Sequence, residues 1–79
     1  MTMRYEVKGW VGVPAGSANY YRRVWSRRQA RRHALGLVKR YQAADVRDFR
    51  IAIFDGHQPV IWFLREEGNY RELSGSWLH

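Results

Sequence analysis

The stretch VWSRRQARRHALGLVKRYQ, residues 24–42, decides the fold of this chain. Near its start, Ser26 and Gln29 match the Ser-x-x-Gln capping box, in which two side chains satisfy the free N–H groups of a helix start. Beyond them, apolar residues recur every three or four positions, so that one side of a helix is apolar and can pack on a core. These apolar residues are Ala30, Ala34, Leu37, Val38 and Tyr41. The pattern predicts an amphipathic helix over residues 27–42.

The opposite side of this helix is basic. Residues 7–44 hold nine basic side chains and no acidic one, whereas residues 45–79 hold four basic and six acidic side chains. The net charge of +7 therefore comes from the first half of the chain, so one surface is basic rather than the whole protein. Arg28, Arg32, Lys39 and Arg40 lie on the basic side, Arg27 and Arg31 flank the apolar residues, and Arg22 and Arg23 end the strand before the helix. All eight are candidate anion-binding residues.

This charge is costly for the helix. Each like-charge pair four residues apart, such as Arg28 and Arg32, destabilises a helix by about 0.2–0.5 kcal/mol. A positive charge in the first turn opposes the helix dipole by about 0.3–1 kcal/mol. An anionic partner would relieve the repulsion. The alternative is a solvated face in an Arg-rich chain, since 12 of the 14 basic residues are Arg.

Two predicted strands precede the helix. Residues 3–11 alternate, with Tyr5 and Val7 on one face and Glu6 and Lys8 on the other, as in a strand with one buried face. Residues 12–18, GVPAGSA, are predicted to form a loop. The alternative is that the backbone N–H groups of this loop bind a phosphate, but the segment matches no known phosphate-loop motif. Residues 19–25, NYYRRVW, form the second strand of a hairpin.

The second predicted strand carries aromatic side chains among its arginines. Tyr21 and Trp25 are candidates for stacking on exposed bases, with packing in the hairpin core as the alternative.

A second hairpin follows the helix. Its strands are residues 48–54 and 60–65, joined by DGHQP, and both are apolar on both faces. Because one helix covers only one face of a sheet, the C-terminal tail, residues 68–79, covers the other face or that face is an interface. The candidate interface residues are Phe54, Ile61, Phe63 and Trp77, and a homodimer could form through this hairpin.

These elements predict a single α+β domain over residues 1–79. Its order is β-β-α-β-β, with an antiparallel sheet packed on one amphipathic basic helix.

Composition narrows the function classes. The absence of cysteine excludes disulfides and thiolate zinc sites, and a small secreted domain usually needs such staples, so we expect a cytoplasmic protein. No signal peptide or membrane-length apolar run is visible, and no membrane partner is expected. The three histidines are scattered, and no nucleophile motif occurs. We therefore expect no enzyme activity, no cofactor and no metal.

Two hypotheses remain. The first is a small non-enzymatic protein that binds nucleic acid of unknown type through the Arg-rich helix, mainly by phosphate contacts. The second is a protein-interaction module, such as a phage- or plasmid-type accessory or inhibitor factor that docks on an acidic host protein. The doubly apolar second hairpin motivates the second hypothesis.

Overall fold

The structure, a computed structural model, describes residues 3–12 and 18–74 and has one helix packed on one face of a five-stranded antiparallel sheet. The elements are β1 (Tyr5–Val11), β2 (Tyr20–Val24), α1 (Arg27–Ala43), β3 (Phe49–Asp55), β4 (Gln58–Glu66) and β5 (Asn69–Ser74). The strand order is β2-β1-β3-β4-β5, so the connection through α1 passes over β1. The predicted α+β fold class is confirmed.

Local hydrogen bonds fix both ends of α1. The Ser26 hydroxyl accepts from the N–H of Gln29 at 3.1 Å, and the Gln29 side chain accepts from the N–H of Trp25 at 3.0 Å. At the other end, the N–H of Val46 donates to the carbonyl of Tyr41 at 2.9 Å. Asp45 lies between them in the left-handed region, with φ of 55°. This is a Schellman motif with aspartate in the place that glycine usually takes.

The core lies between α1 and the sheet. The four fully or almost fully buried helix residues are Ala30, Ala34, Leu37 and Val38, which the apolar spacing had placed on this side. The helix approaches β1 most closely at Gly9, where a Cβ atom would lie 2.8 Å from a methyl group of Leu37. Glycine at this position therefore permits the close packing of α1 on the sheet.

The predicted C-terminal tail contains a fifth strand. Residues 69–74 pair with β4 after a two-residue turn at Glu67 and Gly68, whose φ angles of 50° and 85° fit a type I′ hairpin turn. Both strands of the second predicted hairpin are consequently interior to the sheet. Trp77, predicted as an interface residue, lies outside the described residues, as does most of the predicted loop at 12–18.

The prediction that Ile61 and Phe63 form an exposed interface is wrong. Ile61 and Phe63 belong to the core, with 9% and 0% of their surface exposed. Their cross-strand partners are Ile53 and Ile51, which face the helix, and directly paired residues share a face. The alternate residues of β3 and β4, including Phe54, Trp62 and Leu64, lie on the other side, named here the open sheet face.

Candidate nucleic-acid interface

The outer side of α1 presents a line of cations. Arg28, Arg32 and Lys39 are four and eleven residues apart, which places them on one stripe of a helix over about 16 Å. Arg40 lies further round the same side, and Arg22 on β2 adjoins it at the sheet edge. All five side chains are exposed. They are named here the helix surface: Arg22, Arg28, Arg32, Lys39 and Arg40.

No residue of the helix surface forms an ion pair within the described part of the chain. By contrast, five arginines elsewhere are paired with carboxylates: Arg4 with Asp55, Arg23 with Glu6, Arg31 with Glu72, Arg65 with Asp45 and Arg71 with Glu66. Five of the seven acidic side chains that the structure describes thus pair away from the helix surface, whose own cations stay without a carboxylate partner among the described residues.

A shallow depression of about 120 Å³ opens within the helix surface. Arg32, His33 and Arg40 border it together with Tyr20, and Gly36 lies at its edge. A Cβ atom at Gly36 would meet nothing within 4 Å, so the helix backbone is open to solvent there. The size and charge of the depression suit a small anionic group.

The pKa of His33 reports the local charge. It is lowered from its ordinary value by partial burial first, and then by the guanidinium groups of Arg22 and Arg32. Two cations from different elements therefore act on the same imidazole. This places β2 and α1 on one continuous basic surface.

Three of the eight predicted cations do not belong to the helix surface. Arg31 turns toward the sheet, where it donates to Glu72 at 3.0 Å and lies 5.8 Å from the ring of Phe63. Arg23 lies on the open sheet face, 3.7 Å from Glu6. Arg27 is exposed in the first turn, but helical spacing places it beside the apolar residues and not on the cation stripe.

The predicted stacking residues are also on the open side of the sheet. Tyr21 and Trp25 are 52% and 54% exposed and alternate with Val24, which is buried under the helix. The hydroxyl of Tyr21 donates to Glu6, which raises the pKa of the tyrosine. Neither ring adjoins the helix surface, so the helix-surface cations and the predicted aromatic residues form two separate groups.

Sequence reasoning missed the aromatic cluster of the open sheet face. Trp10 and Trp62 stack there with ring centroids 6.0 Å apart, and Phe54 lies 6.4 Å from Trp62. Of the predicted interface residues, Phe54 alone is described on this face. A signal was present, since Trp10 falls on the polar side of the alternating first strand.

The sheet topology restricts which surface of the second hairpin is available for the predicted homodimer. Within the described residues, β3 pairs with β1 and β4 pairs with β5, so neither hairpin strand has a free edge. The hairpin could meet a second copy only through the open sheet face.

Residues 3–12 and 18–74 contain neither a cluster of metal-ligating side chains nor a membrane-length apolar helix. In these residues no three His, Asp or Glu side chains gather as they would around a metal ion. The helix described here has neither the length nor the hydropathy to span a membrane.

No family model matches the sequence, and no curated protein or solved structure is significantly similar to it. The function is therefore inferred from this chain's own residues.

Proposed function

We propose that the protein binds nucleic acid through the helix surface, mainly by contacts between its cations and phosphate groups. The observation that carries the proposal is that no helix-surface cation has an ion pair among the described residues, although five of the seven described acids pair with arginines elsewhere. A line of unneutralised cations attracts a polyanion, and the release of condensed counterions drives the association.

The shape of the surface favours a duplex. An α-helix with its side chains is about 10–12 Å across, and the major groove of B-DNA is about 12 Å wide. In this protein the helix lies on the outside of the sheet with its basic side free. Docking of α1 at the groove would bring Arg28 and Lys39, at the two ends of the stripe, near the flanking phosphates. Contacts of this kind fix position and carry little sequence information.

The salt dependence of binding tests the proposal. We expect the affinity for duplex DNA to fall steeply with salt, and the slope of log K against log salt to decrease by about 0.9 in Arg32→Gln, because one phosphate contact is lost. Fluorescence anisotropy with a labelled duplex at several salt concentrations measures the slope. Arg4→Gln is the matched control, since it removes one exposed arginine that is already paired with Asp55.

A slope in Arg32→Gln equal to that of the unaltered protein, or no binding at low salt, would overturn the proposal. If the protein instead retains one acidic protein after nuclease treatment, the same cations serve protein docking.

A second variant tests whether the helix-surface arginines bind an anionic partner or are only solvated. Arg28→Glu places an acid in the first turn and creates an attractive pair with Arg32, so it should stabilise the fold by about 0.5–1.5 kcal/mol. It should also weaken duplex binding, because it reverses a charge on the helix surface. Urea denaturation and anisotropy measure the two effects. Greater stability with unchanged binding would indicate that the arginines have no anionic partner.

A further inference from the structure

The open sheet face forms a second binding surface, and we propose that it binds the unpaired bases of a single-stranded nucleic acid. This site uses different residues from the helix surface and lies on the opposite side of the sheet. The proposal extends the proposed function to a second form of nucleic acid, but its residues and its test are independent of α1.

The aromatic rings of this face come together over the middle of the sheet. Trp10 belongs to β1 and Trp62 to β4, with β3 between them. Two strand spacings amount to about 9.6 Å, yet the ring centroids are 6.0 Å apart and the planes differ by only 28°. The indoles lean together above β3, where Ala52 carries only a methyl group. A small residue at this position thus makes a joint aromatic surface possible.

The aromatic rings shield the central residues of the open sheet face from solvent. Ala52 and Leu64 lie on the open sheet face and are 0% and 8% exposed, although no helix among residues 3–12 and 18–74 covers them. The neighbouring Trp10, Phe54 and Trp62 are half-buried, so they shield the sheet beneath and keep part of their own surface in solvent. Partly solvated aromatic rings on a rigid sheet are the feature on which bases stack in single-strand-binding proteins.

Charge on this face identifies the class of ligand. Its strand residues include four cations and two acids, a net charge of 4 − 2 = +2: Lys8, Arg23, Arg50 and Arg71 against Glu6 and Glu66. Arg23 and Arg71 pair with the two acids. Lys8 and Arg50 have no carboxylate partner among the described residues.

Lys8 lies among the rings, and Arg50 is the cross-strand partner of Trp10. The ammonium of Lys8 is 4.9 Å from the centre of the Phe54 ring and 5.9 Å from that of Tyr21. An apolar protein partner would bury Lys8 and Arg50 without a counter-charge, which is unfavourable. A single strand supplies a flat base for the rings and a phosphate for each cation, so it satisfies both features.

A hollow beside Trp62 offers a place for a base. Its volume is about 190 Å³, and Arg50, Trp62, Leu64 and Glu66 line it. Trp62 provides a stacking wall, the guanidinium of Arg50 provides donors, and the carboxylate of Glu66 provides acceptors for the edge of a base. These groups are of the kind that recognise unstacked bases.

The test compares three probes: an oligothymidylate of about 12 nucleotides, an abasic strand of the same length, and a duplex. Trp10→Leu keeps an apolar side chain but removes one ring, and should weaken oligothymidylate binding about 5- to 150-fold, the effect of one stacked base. Binding of the abasic strand and of the duplex should be unchanged. The double variant Lys8→Gln with Arg50→Gln, which leaves every ring in place, should weaken binding of both single strands and spare the duplex.

The outcomes distinguish this proposal from the first. If Trp10→Leu does not fold, as judged by circular dichroism, the Lys8 and Arg50 double variant decides. Unchanged oligothymidylate affinity in the folded variants, or an equal loss for all three probes, would overturn the proposal. Loss of an acidic protein from pull-downs without any change in oligothymidylate affinity would overturn it in favour of protein docking. Failure of the helix-surface proposal is seen separately, as an unaltered duplex salt slope in Arg32→Gln.

Discussion

The helix surface and the open sheet face both carry cations without acidic partners, but they differ in what accompanies those cations. On the helix surface, Arg28, Arg32 and Lys39 form a line in which no aromatic residue intervenes. On the open sheet face, Lys8 lies between two aromatic rings, and half of the cations are paired with acids. The first arrangement offers charge alone, whereas the second combines charge with flat apolar surface.

The difference follows from the periodicity of the two elements. Helical spacing places residues four and eleven apart on one stripe, so a basic stripe of about 16 Å arises within one segment. Strand alternation places every second residue on a face, and neighbouring strands add theirs at the same level. The open sheet face therefore draws Tyr21, Lys8 and Trp62 from three different strands. A phosphate-binding line is a local feature of sequence, and a mixed aromatic surface depends on the sheet.

The largest expected effect concerns adjacent residues of β4 that lie on opposite faces. Phe63 is fully buried under α1, so Phe63→Ala should lower the free energy of unfolding by about 3–5 kcal/mol. Trp62→Ala should cost less, about 1–2 kcal/mol, because part of the indole is already in solvent. Urea denaturation of the two variants measures the difference. Equal losses would mean that the open sheet face is as much a core as the helix side, and would remove the distinction between them.

The faces of β4 also show how far the sequence predicts this fold. The helix was predictable because its signals are local: Ser26 and Gln29 cap it, and the apolar spacing orients it. In β3 and β4 both alternating sets are apolar, so alternation cannot tell which set faces the helix. The pairing of Ile51 with Phe63 decides this, and pairing is a property of the assembled sheet.

The site was predictable to a similar extent. The stripe of Arg28, Arg32 and Lys39 follows from the helix alone. The ion pair of Arg31 could not be predicted, because it depends on Glu72, 41 residues further along the chain, on a strand that the sequence predicted only as part of the tail. That strand, NYRELS, lacks the apolar alternation of a half-buried strand, because it lies at the sheet edge and is largely exposed.

Two glycines provide the next test, since one faces the core and the other faces solvent beside the basic stripe. Gly9→Ala should destabilise the fold by about 1–3 kcal/mol, because the added carbon would lie 2.8 Å from a methyl group of the buried Leu37, so that this side chain or α1 must shift. Gly36→Ala should stabilise the fold by up to about 1 kcal/mol, because nothing opposes the new methyl group and alanine favours the helix. Thermal or urea unfolding of both variants gives the two signs. A destabilising Gly36→Ala would show that α1 is packed more closely on its outer side than the structure describes.

The smallest expected effect is a pH dependence confined to the helix surface. Burial and the charges of Arg22 and Arg32 lower the pKa of His33 in the folded protein below its ordinary value of about 6.5. The unfolded chain then binds the proton more strongly, so the contribution of His33 to stability is fully present above about pH 6.5 and is lost as the pH falls toward the folded pKa. The difference in urea midpoint between the unaltered protein and His33→Gln, followed from pH 7 to pH 5, isolates this contribution from those of the carboxylates. A difference that does not change with pH would show that the cations do not act on His33.

Duplex affinity at the helix surface should increase as the pH falls, whereas the contribution of His33 to stability decreases. Phosphate near Arg22 and Arg32 would offset their charge and raise the pKa of His33, so duplex affinity should increase modestly between pH 7.5 and about pH 6 as the imidazole takes up a proton. No histidine lies among the described residues of the open sheet face, so oligothymidylate bound there should lack this response. Anisotropy titrations of the unaltered protein and of His33→Gln at the two pH values make the comparison. If both probes respond alike and His33→Gln abolishes both responses, the single strand also binds at the helix surface, and the two surfaces do not differ in their ligands.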